Sequence, residues 1–196
     1  MSTDNINEKQ SLELIENMIK TARQDNYAGG AFYFILWGII VMVFSILMFI
    51  AIQTHADWQP WTYNLFALGG LLSILRSRRD DRVEKSKSWF DSLYMYVWIG
   101  TGICIALTAM FAPILGLQNV IPVTLILYAL ANFITGGVTK YYPSLIGAII
   151  CFACVVVAFN LSFAYQNLLC AFAVLCTHVI PGLMMRKYYA KKGYAE

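Results

Sequence analysis

Six stretches of this chain contain no Asp, Glu, Lys or Arg: about 31–52, 60–75, 92–112, 120–139, 144–163 and 166–185. Each is near the roughly 20 residues that an α-helix needs to cross a bilayer at about 1.5 Å per residue. The cations are confined to what lies outside them. Lys9, Lys20 and Arg23 precede the first stretch, and Arg76, Arg78, Arg79, Arg82, Lys85 and Lys87 lie between the second and third. Lys140 separates the fourth from the fifth, and Arg186, Lys187, Lys191 and Lys192 follow the sixth. The other three connections contain no Lys or Arg. A chain that crosses at every stretch therefore puts all 14 cations on one side. Short loops rich in Lys and Arg stay cytoplasmic. The expected fold is an all-α membrane protein with six transmembrane helices and both termini inside.

Composition agrees with this. Only 13% of the chain is charged and 59% is apolar, against roughly 25% charged in a soluble domain. Six spans leave no room for a second soluble domain. The expected division is a cytoplasmic segment at 1–29, a transmembrane bundle at 30–187 and a cytoplasmic tail at 188–196. The net charge of +3 faces the anionic inner leaflet and is not a nucleic-acid signal. The first apolar stretch is too long for the core of a cleavable signal peptide and is expected to remain as the first span. All five cysteines (Cys104, Cys151, Cys154, Cys170, Cys176) fall inside expected spans, so no disulfide framework is read.

Residues 7–25 have the pattern of an amphipathic helix. Leu12, Ile15, Ile19 and Ala22 recur on one face, with Leu14 and Met18 beside it. Its cations are matched by Glu13, Glu16 and Asp25, whereas helices that bind anionic lipid are rich in Lys and Arg. The helix is expected to pack on protein, either across the cytoplasmic face of its own bundle or on a partner or second copy. Gly29-Gly30 is expected to break it before the first span.

The spans carry an internal repeat. A shift of 62 residues places Gly38 on Gly100, Met48-Phe49 on Met110-Phe111, Pro60 on Pro122, Phe66 on Tyr128, Ser73 on Thr135 and Arg78 on Lys140. A shift of 46 to 47 places Gly100 on Gly147, Asn132 on His178, Gly136 on Gly182 and Lys140 on Arg186. Three parallel-repeated α-hairpins follow, related by an axis along the membrane normal. This layout resembles the bacterial membrane proteins of the HdeD type, which also hold three glycine-bearing two-helix repeats. The stretches Ser11–Ile19 and Phe32–Gly38 resemble those of uncharacterised bacterial six-helix membrane proteins. These likenesses imply a bacterial inner membrane and bring no activity with them. Six helices with both ends inside also resemble the vitamin-binding subunits of energy-coupling factor transporters, which implies a small solute as ligand.

No Asp, Glu, Lys or Arg lies deep in a span, which leaves neither a carboxylate pair for acid–base chemistry nor a charged relay. No catalytic, metal or cofactor set is expected. His178 is the one imidazole in a span, three residues before Pro181-Gly182. Pro181 has no N–H for the Thr177 carbonyl. Asn132, before Gly136-Gly137, occupies the matching place in the repeat. Interrupted helices at corresponding places point to a transporter site, so Asn132, His178, Thr177 and Tyr128 form a candidate ligand cavity between the fourth and sixth spans. Both breaks also lie near Lys140 and Arg186 and would serve equally to end the helices. Cys151 and Cys154 read as close-packing small residues. The cytoplasmic lipid or partner face comprises Arg76, Arg78, Arg79, Arg82, Lys85 and Lys87. The expected function is a non-enzymatic accessory or regulatory membrane module; the alternative is a small-solute carrier or substrate-binding transporter subunit.

Overall fold

A computed structural model describes residues 8–80 and 89–190 of the chain. Among the described residues every regular element is helical. The helices are α1 (Glu8–Thr54), α2 (Asn64–Asp80), α3 (Trp89–Met110), a single turn α4 (Ala112–Leu115), α5 (Leu117–Thr139), α6 (Tyr142–Ala158), α7 (Phe163–Val174) and α8 (Ile180–Ala190). A 3-10 turn, Gln59–Tyr63, leads into α2, and a π turn, Leu175–Val179, joins α7 to α8. Among the described residues, four helical segments are long and apolar enough to cross a membrane: Gly30–Thr54, Ser92–Met110, Leu117–Thr139 and Phe163–Lys187. The 17-residue α6 is a shorter apolar helix. The 17-residue α2 ends in Arg76, Arg78, Arg79 and Asp80, which shortens its apolar part.

Three expected breaks are absent. Gly29-Gly30 does not end a helix, because α1 runs unbroken through it. A glycine costs a helix interior only about 1 kcal/mol relative to alanine, and long helical runs on both sides outweigh that. The segment before Gly30 therefore continues the first span and does not fold back across the bundle. The helix also does not stop at Pro181-Gly182. The backbone widens there into a π turn, in which the Ile180 N–H reaches back to the Leu175 carbonyl, and α8 runs on to Ala190. Such local adjustments let spanning helices tolerate proline. Likewise α5 passes through Gly136-Gly137 and ends only at Lys140.

Among the described residues, both non-glycine residues with positive φ close helices. His55 (φ 50) follows α1 and Lys140 (φ 57) follows α5. In each case the next N–H, of Ala56 or Tyr141, bonds the carbonyl five residues back, Ala51 at 3.0 Å or Gly136 at 2.9 Å. This six-to-one closure satisfies carbonyls that the helix end would otherwise leave open.

The core lies among α1, α5, α6 and the α7–α8 rod. The α5–α6 pair is packed most extensively, followed by α1 against α7 and α8. Its buried side chains are mostly small: Ala129, Cys151, Cys154, Ala158, Cys170 and Ala173, around Leu125, Tyr128, Val155 and Val174. In lipid, where water does not drive helices together, small residues allow the close contact that does. α3 leans on α5 and the edge of α1, while α2 rests on α1 and its own leading turn. Only 6% of the α3 span is buried, against 50% for α5 and for the α7–α8 rod, so α3 is attached along one narrow stripe.

The π turn is gripped from two sides by glycines. A Cβ on Gly38 would lie 2.9 Å from the His178 Cβ, and one on Gly147 would lie 2.6 Å from the Cys176 carbonyl oxygen. Gly100, their mate in sequence, has nothing within 4 Å. Gly147→Ala must therefore push backbone apart, and it is expected to destabilise by about 1–3 kcal/mol. Gly100→Ala is expected to be neutral or to stabilise by up to about 1 kcal/mol through helix propensity. Thermal unfolding of both variants in the same detergent checks this.

Candidate functional site

His178 sits on the π turn and is 2% exposed. Its ring is stacked on Phe34 of α1 at 4.8 Å and 22°, and on Tyr128 of α5 at 4.6 Å and 28°. Trp98 of α3 meets it edge-on at 5.0 Å and 86°. One aromatic ring from each of three helices thus surrounds an imidazole from a fourth. Trp98 also meets Tyr128 at 5.6 Å and Tyr94 at 5.9 Å. Local backbone explains the placement. Gly38 and Gly147 admit the wider π turn, and the turn rotates His178 toward α5 and α3.

The hydrogen bonds are few. His178 Nδ1 lies 3.3 Å from the Thr177 hydroxyl, and that hydroxyl donates to the Ala173 carbonyl at 2.9 Å. Tyr128 Oη and Trp98 Nε1 are buried and have no hydrogen-bond partner. Asn132 is fully buried; its amide donates to the Tyr128 carbonyl at 2.8 Å, and its Oδ1 accepts from Ser144 at 3.4 Å. Of the four residues expected to share a cavity, His178 and Tyr128 make ring contact, and Thr177 bonds the imidazole. Asn132 is turned toward its own helix and α6.

No solute-sized chamber lies between these residues. A cavity of about 20 Å³ is lined by Gly30, Phe34, Tyr94, Thr135, Gly136, Thr139, Tyr141, Ser144 and Met185. That is room for about one water. Phe34, Tyr94 and Trp98 complete the site and were not among the residues expected from sequence. The sequence signal for them was faint: an aromatic residue one helical turn before Gly38, and two aromatics shortly before Gly100.

A second polar node lies at the other end of the bundle. Pro122, inside α5, has no N–H for the Gln118 carbonyl four residues back. Gln166, fully buried at the start of α7, donates to that carbonyl at 2.9 Å. The same Nε2 reaches the Ala158 carbonyl at 3.0 Å and the Leu161 carbonyl at 3.2 Å. One side chain thereby ties the start of α5 to the α6–α7 connection.

Of the expected cationic face, Arg76 lies 5.4 Å over the Phe32 ring and Arg78 and Arg79 are exposed. Arg82, Lys85 and Lys87 lie outside the described residues. Among the described residues no group of three or more His, Cys, Asp or Glu side chains is placed to hold a metal. Cys151 contacts the Leu125 carbonyl at 3.6 Å and is fully buried with Cys154 close by on the same helix.

No protein-family model matches the chain, and no curated protein or solved structure matches it either. The fold and site define a helical protein with several membrane-length spans, centred on a histidine held by aromatic rings.

If the rings hold His178 by packing, His178→Phe keeps the stack and is expected to cost under about 1.5 kcal/mol. His178→Ala opens a gap between rings and is expected to cost about 3 kcal/mol. The two thermal unfolding midpoints, measured side by side, check the ordering.

Proposed function

We propose that the chain is a non-enzymatic accessory or regulatory module of a bacterial inner membrane, working through a helix that it presents to a partner. The observation that carries this is the unbroken α1. Its 47 residues measure about 70 Å, and the part before Gly30 alone about 33 Å. That part continues the first span as one rod. Its sequence carries the apolar stripe Leu12, Ile15, Ile19 and Ala22, a face for another helix. The closely packed core supports the same reading, since it offers no room for a solute.

The proposed topology has six crossings in three parallel hairpins, with both termini in the cytoplasm. At 17 residues, α2 and α6 fall at the short end of the range for spanning helices. Contacts at the repeat positions support the triplication. A Cβ on Gly136 would come within 2.9 Å of Leu145 N on α6, and one on Gly182 within 2.8 Å of Ile35 on α1. Each is a close approach of a hairpin's second helix to the first helix of another hairpin. The third equivalent position is Ile74, which is 54% exposed. A branched side chain there prevents the same approach between α2 and α3.

The carrier reading, with a site between the fourth and sixth spans, has one observation in its favour. Tyr128 Oη and Trp98 Nε1 are polar groups without protein partners beside His178. Native mass spectrometry of the gently purified protein separates the two. A stoichiometric small-molecule adduct supports the carrier, and a co-purifying protein or a homo-oligomer supports the module.

Two outcomes are expected. A periplasm-active reporter fused after Glu196 is inactive, and an active one overturns the topology. Combined Leu12→Asp, Ile15→Asp and Ile19→Asp substitutions cut capture of the partner or second copy at least about tenfold, since each buried Leu or Ile contributes about 1.5–3 kcal/mol. The unfolding temperature of the bundle stays unchanged. Undiminished capture removes the rod from the proposal.

A further inference from the structure

We infer that the apolar stripe of the α1 rod and the cationic end of α2 form one docking surface, and that its occupant is an amphipathic α-helix of a partner protein with acidic residues at the end that meets α2. This rests on the reading of α1 as a partner-binding rod; it adds where on the molecule the partner sits and what charge it carries. The register of α1 places the stripe. Eighteen residues make about five whole turns of an α-helix, and α1 runs unbroken from Glu8 to Thr54. Ile15, Ile19 and Ala22 therefore share a face with Tyr33, Trp37 and Ile40. That face meets α2: a Cβ on Gly69 would lie 2.5 Å from Ile40 and 3.5 Å from Trp37. The charged positions fall on another side. Glu16 and Lys20 share a face with Phe34 and Gly38, which lie against His178. The apolar stripe thus continues the α2 side of α1 and does not lie over the core of its own bundle.

The described neighbours of α1 end below the stripe. Arg76 of α2 is level with Phe32, so Asp80, about one turn further on, is level with about Ala28. Met185 of α8 packs with Ala31, so the end of α8 at Ala190 is level with about Asn26 by the same rise. Glu13 is exposed although it shares a face with the buried Ala31, as follows where the flanking helices have ended. The sequence between Asp80 and Trp89 carries one aliphatic residue, Val83, too little to pair with Leu12, Ile15, Ile19 and Ala22. A second copy in the same bilayer keeps its own rod away, because α2 stands on this side of the α1 span and packed helices lie about 8–10 Å apart. A partner's helix takes the place that a longer α2 would fill. Charge selects it. Its near end meets Arg78 and Arg79, both exposed in the last turn of α2, so acidic residues there are attracted and basic ones repelled.

The test uses the full chain in lipid nanodiscs and two synthetic peptides, with binding read by fluorescence anisotropy. Both peptides are amphipathic helices of Leu and Ala with one charged turn at one end, of Glu in the first and of Lys in the second. The Glu peptide is expected to bind at least about threefold more tightly than the Lys peptide; equal binding, or binding of neither, overturns the proposal. Arg78→Glu with Arg79→Glu is expected to reverse that preference. Arg186→Glu with Lys187→Glu makes the same change of charge at exposed positions of α8 and is expected to shift binding by under about twofold, because salt screens distant charges. Equal effects of the two pairs mean that net charge alone attracts the peptide, and they overturn the site. Ile19→Asp is expected to weaken the Glu peptide at least about tenfold, and Lys20→Gln, on the adjoining face, by under about twofold. Equal losses from these two overturn the placement of the stripe. A protein that is dimeric in the nanodiscs and binds neither peptide overturns the proposal in favour of a second copy. If the peptides fail while the combined Leu12, Ile15 and Ile19 variant still loses its natural partner, the acidic helix falls and the rod reading stands.

Discussion

The close approach of three helices at the π turn sets the geometry of the bundle. Gly38 of α1 and Gly147 of α6 lie against the backbone and Cβ atoms of Cys176, Thr177, His178 and Val179, at distances where no further carbon fits. A π turn is wider than an α turn and adds a residue to the circuit. Glycine on both neighbours makes that width tolerable. Once α1, α6 and the α7–α8 rod are fixed this way, His178 is carried into the middle of the bundle. Phe34, Trp98 and Tyr128 then close on its faces and edge.

The rest of the polar chemistry in the bundle follows from backbone accounting. A bilayer interior supplies no water to unsatisfied N–H and C=O groups. Proline creates such groups, and each of the two in helix interiors is answered differently. Pro122 opens the Gln118 carbonyl, and a glutamine from α7 fills it. Pro181 is met by the change to π bonding. The hydroxyls of Thr101, Thr108, Thr135 and Thr177 each return to the carbonyl four residues back. These side chains are spent on their own helices and do not form a path for a polar solute. Tyr128 Oη and Trp98 Nε1 near His178, with Ser73 Oγ and Gln166 Oε1, are the buried side-chain atoms among the described residues that have no hydrogen-bond partner.

This arrangement separates two roles along the chain. The interior is small-residue packing around one aromatic-held imidazole. The outward sides of α2 and α3 carry exposed apolar side chains such as Leu71, Ile74, Ile99 and Ile103. α2 and α3 are attached weakly: α3 leans on α5 and the edge of α1, and α2 rests on α1 and its own leading turn.

Sequence alone determined the helical class, the apolar stretches and the segregation of cations, because periodicity and charge are local properties that a bilayer reads directly. It also singled out His178, Thr177 and Tyr128, since a lone imidazole next to Pro181 is conspicuous among apolar residues. It misplaced the breaks. Gly29-Gly30, Gly136-Gly137 and Pro181-Gly182 all lie within continuous helical structure. The local cost of about 1 kcal/mol per glycine is smaller than what long flanking helices and close packing contribute. Tertiary structure alone decided that Phe34 and Trp98 face His178 while Asn132 turns away to Ser144. Contacts between residues distant in sequence, such as Phe34 or Trp98 with His178, depend on how helices cross, and crossing is set by which small residues meet, at Gly38 and Gly147, and not by any one helix's own pattern.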